Sequence, residues 1–149
     1  MDSCAEQKKQ EFCQAVLDAA NRPGQLPHLI HCRLTQLTPD GNATGELEIH
    51  PDVLNPWNTV HGGALATLAD NITGSGVLAA TGCICVTVNY NMHYLRPATG
   101  SKIICTARPE KLGKHLCVMH ADLTNDAGQL VATCEFTFDL VQPLNQEAL

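Results

Sequence analysis

Residues 55 to 80 constrain the chain more than any other stretch: Asn55-Pro-Trp-Asn-Thr-Val-His-Gly-Gly-Ala-Leu-Ala-Thr-Leu-Ala-Asp70, then Asn71 to Ala80. Pro56 and Asn58 mark a turn, and from about Gly62 the apolar residues Leu65, Leu68, Ile72 and Ala79 recur at helical spacing. Most of the remaining positions are Gly, Ala, Ser or Thr. Glycine costs a helix interior about 1 kcal/mol against alanine, so helix propensity does not explain this composition. Small residues let a second backbone or a ligand approach closely. Gly62 and Gly63 fall in the first turn, where backbone N–H groups lack intrahelical acceptors and the helix dipole is positive. Such donors suit an anion, or a carbonyl oxygen on which charge develops.

His61 and Asp70 are nine residues apart. On a helix they differ by ~13.5 Å of rise and about half a turn. If both serve one substrate, the aspartate must come from a second copy of the chain. An exposed helical aspartate is otherwise an ordinary solvated residue. The neighbours of Asp70 at helical spacing, Ala66, Thr67, Thr73 and Gly74, nevertheless form a face suited to close approach.

Asn55, His61-Gly62-Gly63-Ala64 and Leu68-Ala69-Asp70-Asn71 are followed by Val86-Thr87-Val88-Asn89-Tyr90-Asn91 and by Tyr94-Leu95-Arg96-Pro97-Ala98. This ordered set resembles the hotdog-fold acyl-CoA thioesterases, within them the PaaI-like branch, over roughly residues 28 to 141. The resemblance implies an α+β fold in which an antiparallel sheet wraps one long central helix. It implies hydrolysis of a fatty or aryl acyl-CoA thioester to free acid and CoA. Gly62 N–H with the Asn55 side chain would polarise the carbonyl, His61 would position the loop, and Gly63 would line the substrate site. Asp70 of the partner chain would act as general base or nucleophile, and Thr87 would orient the water. Asn58 and Thr87 depart from the glycine and serine common at these positions. Trp57 is a bulky addition that walls the acyl pocket or packs at a subunit interface. A hydratase or dehydratase of the same fold, or a non-catalytic acyl-CoA-binding module, are the alternatives.

The rest of the chain fits one domain, residues 1 to 149, large enough for a real core. Residues 2 to 21 read as an amphipathic helix ending at Asn21-Arg22-Pro23-Gly24. Leu29 to Thr38 and Ala43 to His50 read as strands around Pro39-Asp-Gly-Asn42, with four more near 83–95, 101–111, 115–124 and 129–141. Simple alternation on the first of these four puts Ile84, Val86, Val88, Tyr90, Met92 and Tyr94 on one face and Thr87, Asn89, Asn91 and His93 on the other.

A net charge of −6 and 4% aromatic residues argue against nucleic-acid and anionic-membrane partners. The eight cysteines lack a recognisable zinc spacing, and the polar first twelve residues are no secretory leader. Reduced thiols, no metal, no cofactor beyond substrate CoA and a cytoplasmic or mitochondrial location are expected. Arg96, Lys102, Arg108, Lys111 and Lys114 face the single acid Glu110, a local net of +4. That cationic segment suits the phosphates of CoA, with Arg96, Lys111 and Lys114 as candidate contacts. The expected assembly is a homodimer, paired further into a homotetramer.

Overall fold

In the computed structural model, which describes residues 3–145 and Leu149, one long helix lies across a six-stranded antiparallel sheet. The elements are α1 (Ser3–Ala20), α2 (Leu26–Leu29), β1 (Cys32–Leu37), β2 (Ala43–Glu48), a 3-10 turn (Pro51–Val53) and α3 (Gly62–Thr81). The remaining strands are β3 (Cys83–Tyr94), β4 (Lys102–Leu112), β5 (Leu116–Asn125) and β6 (Leu130–Pro143). Their spatial order is β1-β2-β4-β5-β6-β3. Helix α3 touches all six strands, which is the α+β architecture expected.

The ends of α3 follow from its sequence. His61 caps the N-terminus, its Nδ1 accepting the Gly63 N–H at 2.9 Å. Gly82 ends the helix with φ 68 and donates its N–H to Leu78 at 2.8 Å. Between them Leu65, Leu68, Ile72 and Val77 are buried against Leu34, Leu47, Ile103, Met119, Leu123 and Phe136 of the sheet.

The small residues of α3 divide into two sets. Gly76 faces inward: a Cβ there would stand 2.5 Å from the Gly41 carbonyl oxygen. The helix therefore rests directly on the β1–β2 turn, and Gly45 of β2 likewise makes room for Ile72. Gly63, Ala66, Thr67, Asp70 and Gly74 stay exposed or half-exposed along the other side.

Two sequence expectations need correction, and one lies outside the described residues. The segment from Leu29 does not open as a strand. Pro27 sits in the first turn of the short helix α2, and His31 takes φ 57, so β1 starts only at Cys32. The predicted start of the first helix at residue 2 lies outside the described residues. The alternation on β3 also fails, because Val88 is a bulge: Thr87 pairs with Phe138, and Asn89 pairs with Thr137. One extra residue reverses the facing of everything beyond it. Cys85 and Thr87 thus share the helix-facing side with Tyr90, Met92 and Tyr94, while Asn89, Asn91 and His93 face away.

Gly76→Ala is expected to destabilise the fold by about 1–3 kcal/mol, since backbone rather than a flexible side chain blocks the new methyl. A urea melt should show a lower midpoint at unchanged slope.

Candidate active site

Two clefts open on the exposed side of α3, one toward each end of β3. The first, of about 490 Å³, lies at the helix N-terminus and is lined by Asn55, Trp57, Gly62, Leu65, Tyr94 and Arg96 among others. The second, of about 300 Å³, lies two turns on and holds Asp70, Asn71, Gly74, Cys85, Thr87 and Phe138.

At the first cleft the backbone supplies the chemistry. Gly62 is the first helical residue, and its N–H has no acceptor among the described residues. Gly63 differs from expectation: its N–H is occupied by the His61 imidazole, so only one of the two glycine donors is free. His61 also donates its backbone N–H to Val53 at 2.8 Å, fixing the loop to the preceding turn. With Nδ1 accepting, the neutral ring carries its proton on Nε2 and has no lone pair left to act as a base.

Asn55 is largely engaged within its own loop. Its Oδ1 accepts from Trp57 N–H at 3.0 Å and Thr59 N–H at 3.1 Å, and its amide donates to Thr59 Oγ1 at 2.7 Å. One of its two amide hydrogens remains. Asn58 adopts φ 60, a left-handed angle that asparagine tolerates and that lets the loop turn in the absence of glycine. The loop holds Trp57 80% exposed at the rim of the cleft. Tyr94, which the sequence did not single out for function, packs its ring against Gly62 and donates its hydroxyl to the Gly62 carbonyl at 2.9 Å.

At the second cleft Thr87 Oγ1 donates to Asp70 Oδ1 at 2.6 Å. The bulge at Val88 makes this contact, because it aims Thr87 at the helix. The second carboxylate oxygen remains for a proton from water. Asn71 was also missed: its side-chain Nδ2 is buried in the same cleft without an acceptor among the described residues. A buried unpaired donor costs about 1–3 kcal/mol, and an incoming acceptor would recover that. Cys85 is the nearby thiol, and burial pushes it up to about 11.

The two clefts cannot act on one bond within a single chain. Gly62 and Asp70 are eight residues apart on one helix, about 12 Å of rise. The cationic segment is also divided. Lys102 pairs with Glu46 at 3.1 Å, and Arg108 pairs with Glu110. Arg96 lies at the Gly62 end, its Nη1 donating to the Leu130 carbonyl at 2.8 Å. Lys111 and Lys114 lie at the other end: Leu112 pairs with Cys117, Cys117 with Phe138, and Phe138 with Thr87. Strand β4 runs the length of the sheet, so these cations stand about 30 Å from Arg96 at ~3.3 Å per residue. The single patch read from the sequence does not exist within one chain.

The comparisons with known proteins bear on what such a site does. A thioesterase superfamily profile matches residues 58–132, half of the chain, which include Gly62, Asp70, Thr87 and Arg96. The chain belongs to the thioesterase superfamily. It is a thioester hydrolase of the hotdog fold. The chain is 39% identical over 95 residues to acyl-coenzyme A thioesterase 13 of Homo sapiens, spanning 62% of this chain and 68% of that protein. The PaaI protein of the E. coli phenylacetic acid degradation operon superposes with a TM-score of 0.81 at 19% identity, covering 89% of this chain and 96% of that one. A thioesterase from Haemophilus influenzae gives 0.79 at 20% identity, covering 87% and 92%. At those identities the two structures establish the fold alone. Among the described residues of this thioesterase, no helix is long and apolar enough to cross a membrane.

The raised Cys85 value carries a prediction. A thiol stays protonated and unreactive below its pKa, so iodoacetamide at neutral pH should label exposed Cys4 and leave Cys85 and thioesterase activity intact. Mass mapping of the labelled cysteines alongside an activity assay checks this. Parallel loss of activity and labelling of Cys85 would make the thiol part of the chemistry.

Proposed function

We propose that the chain hydrolyses acyl-CoA thioesters at sites shared between two copies of itself. The observation that carries this reading is the separation of the free Gly62 N–H from the Asp70–Thr87 pair along one rigid helix. Each cleft holds half of what thioester hydrolysis requires. Likeness to the human and mouse acyl-coenzyme A thioesterases supports the substrate class.

Strand β3 offers the means of pairing. It is a sheet edge of twelve residues, with Val86, Val88, Tyr90 and Tyr94 each at least half exposed. Long apolar edges invite another strand. Two β3 strands running antiparallel would set each Thr87 near the partner's Tyr94, and so each Asp70 against the partner's Gly62. The same operation would bring Lys111 and Lys114 of one chain toward the partner's Arg96, rebuilding across the interface the cationic patch that one chain lacks. Cations flanking a composite site suit the CoA phosphates.

The chemistry then runs as follows. The Gly62 N–H, together with the remaining Asn55 hydrogen, would bind the thioester carbonyl oxygen. Thr87, its own proton given to Asp70, would accept a hydrogen bond from water. Asp70 would take a proton from that water as its oxygen attacks the carbonyl carbon. The tetrahedral intermediate would collapse, breaking the C–S bond and returning the proton to the CoA sulfur. The Thr87–Asp70 contact favours this general-base route over attack by Asp70 itself, since it holds an acceptor for water beside the carboxylate.

A panel of fatty and aryl acyl-CoAs assayed for free thiol tests the activity. Asp70→Asn should lower kcat by about 10² or more with acyl-CoA still bound. Gly62→Pro deletes the one free donor at the first residue of a helix, where proline's backbone angle is allowed and the Tyr94 ring, 3.3 Å from a Cβ there, must give slightly. It should cost about 10²–10³. Mixed dimers of these two variants contain one intact composite site, so co-refolding should restore up to half the wild-type activity per dimer. Verified mixed dimers that stay inactive would overturn the shared site.

The lysines give a separate expectation. Lys111→Ala with Lys114→Ala should raise KM for CoA thioesters at nearly constant kcat, the pattern of lost uniform binding. A pantetheine thioester, which lacks the nucleotide phosphates, should be unaffected. Equal losses on both substrates would remove the lysines from phosphate binding.

A further inference from the structure

Away from both clefts, His31, His50 and Asp52 bring three ligating atoms within 4.8 Å of one another. None of the three lines either cleft. Two short segments hold them together. His31 lies just before β1 and its carbonyl accepts the Glu48 N–H at 3.1 Å, while His50 and Asp52 belong to the 3-10 turn that follows β2. We propose that these three residues form a binding site for a divalent ion of the zinc, cobalt and nickel class.

The geometry between His50 and Asp52 admits an ion. His50 Nδ1 accepts only a long hydrogen bond, 3.4 Å, from the Asp52 N–H, which a bound ion would have to displace to take the lone pair. The same nitrogen faces Asp52 Oδ2 at 3.3 Å. At that distance the two atoms can share either a proton, as a His–Asp ion pair, or a bound metal ion. Two ligands about 2.0–2.1 Å from a tetrahedral ion stand about 3.3–3.4 Å apart, matching the observed gap.

His31 supplies the third ligand. Its ring stacks on His50, with centroids 4.5 Å apart and planes 16° from parallel. A shared ion requires one ring to turn about χ2 out of this stack; the His31 ring is exposed and makes no side-chain hydrogen bond among the described residues. Its backbone holds the left-handed angle φ 57. Two imidazoles and one carboxylate favour borderline transition ions over calcium or magnesium, which prefer all-oxygen shells. The adjacent surface hollow, lined by His28, His31 and Glu48, leaves room for the remaining coordination position. The ion would also brace the active-site loop, because Val53 of the same turn accepts the His61 N–H.

The full chain, stripped with EDTA, is titrated with Co²⁺ by calorimetry and visible absorption. One equivalent should bind with a d–d band and no thiolate charge-transfer band. His31→Asn tolerates the left-handed angle, and His50→Asn retains a capping acceptor, so both variants keep the local backbone. Outer-shell partners alone are worth about 10–100-fold in metal affinity, so losing either direct ligand should weaken binding by at least about tenfold. Acidification should weaken it too, as protons compete for the imidazoles. Co²⁺ should raise the melting temperature of the wild type and not of the double variant. Affinity no better than that of free imidazole, a thiolate band, or variants that bind like the wild type would overturn the site.

Discussion

The rise of an α-helix, 1.5 Å per residue, is the constraint on which the rest of this protein depends. Gly62 and Asp70 are carried on the same rigid element, and no side-chain motion can close the distance between them. The helix cannot bend to help, since it is seated against every strand of the sheet and rests directly on the β1–β2 turn through Gly76 and Gly41. A fold so arranged has a donor at one end of its exposed helix stripe and a carboxylate in the middle. The small residues between them leave that stripe open to a second helix.

Each half of the site is then set by local detail. At the helix start, His61 occupies one glycine N–H and leaves the other. The neighbouring loop closes through the Asn55 side chain and the left-handed Asn58. Tyr94 grips the first helical peptide through its carbonyl. At the other half, the Val88 bulge turns Thr87 inward to the Asp70 carboxylate. Without that bulge, strict alternation would point Thr87 away from the helix, and the carboxylate would lose its hydroxyl partner.

The edge position of β3 links the two halves. A strand with one unpaired side, four half-exposed apolar residues and both clefts at its ends is suited to antiparallel pairing with its own copy. Such pairing would also explain why the cations lie at opposite ends of the sheet. Two distant charges on one chain become neighbours when a two-fold axis passes between them.

The sequence by itself determined the central helix and the existence of four strands after it, but not their order. A simple meander would pair β3 with β4, whereas β3 lies at the sheet edge against β6 and β4 pairs with β2 and β5. The signals for helix and strands are local: apolar residues at helical spacing, and short alternating runs between turn residues. Gly62 and Asp70 stood out as candidates from the helix composition and its small-residue face, and Thr87 only through the family resemblance. Helical spacing alone was enough to separate His61 from Asp70, since rise per residue does not depend on tertiary context. What only the tertiary structure decided was which groups face each other. The bulge that turned Thr87 inward, the capture of the Gly63 N–H, the division of the cationic segment and the meeting of His31 with His50 leave no periodic trace. Each depends on strand register or on contacts between residues far apart in the chain, and register is fixed only when the whole sheet is packed against the helix.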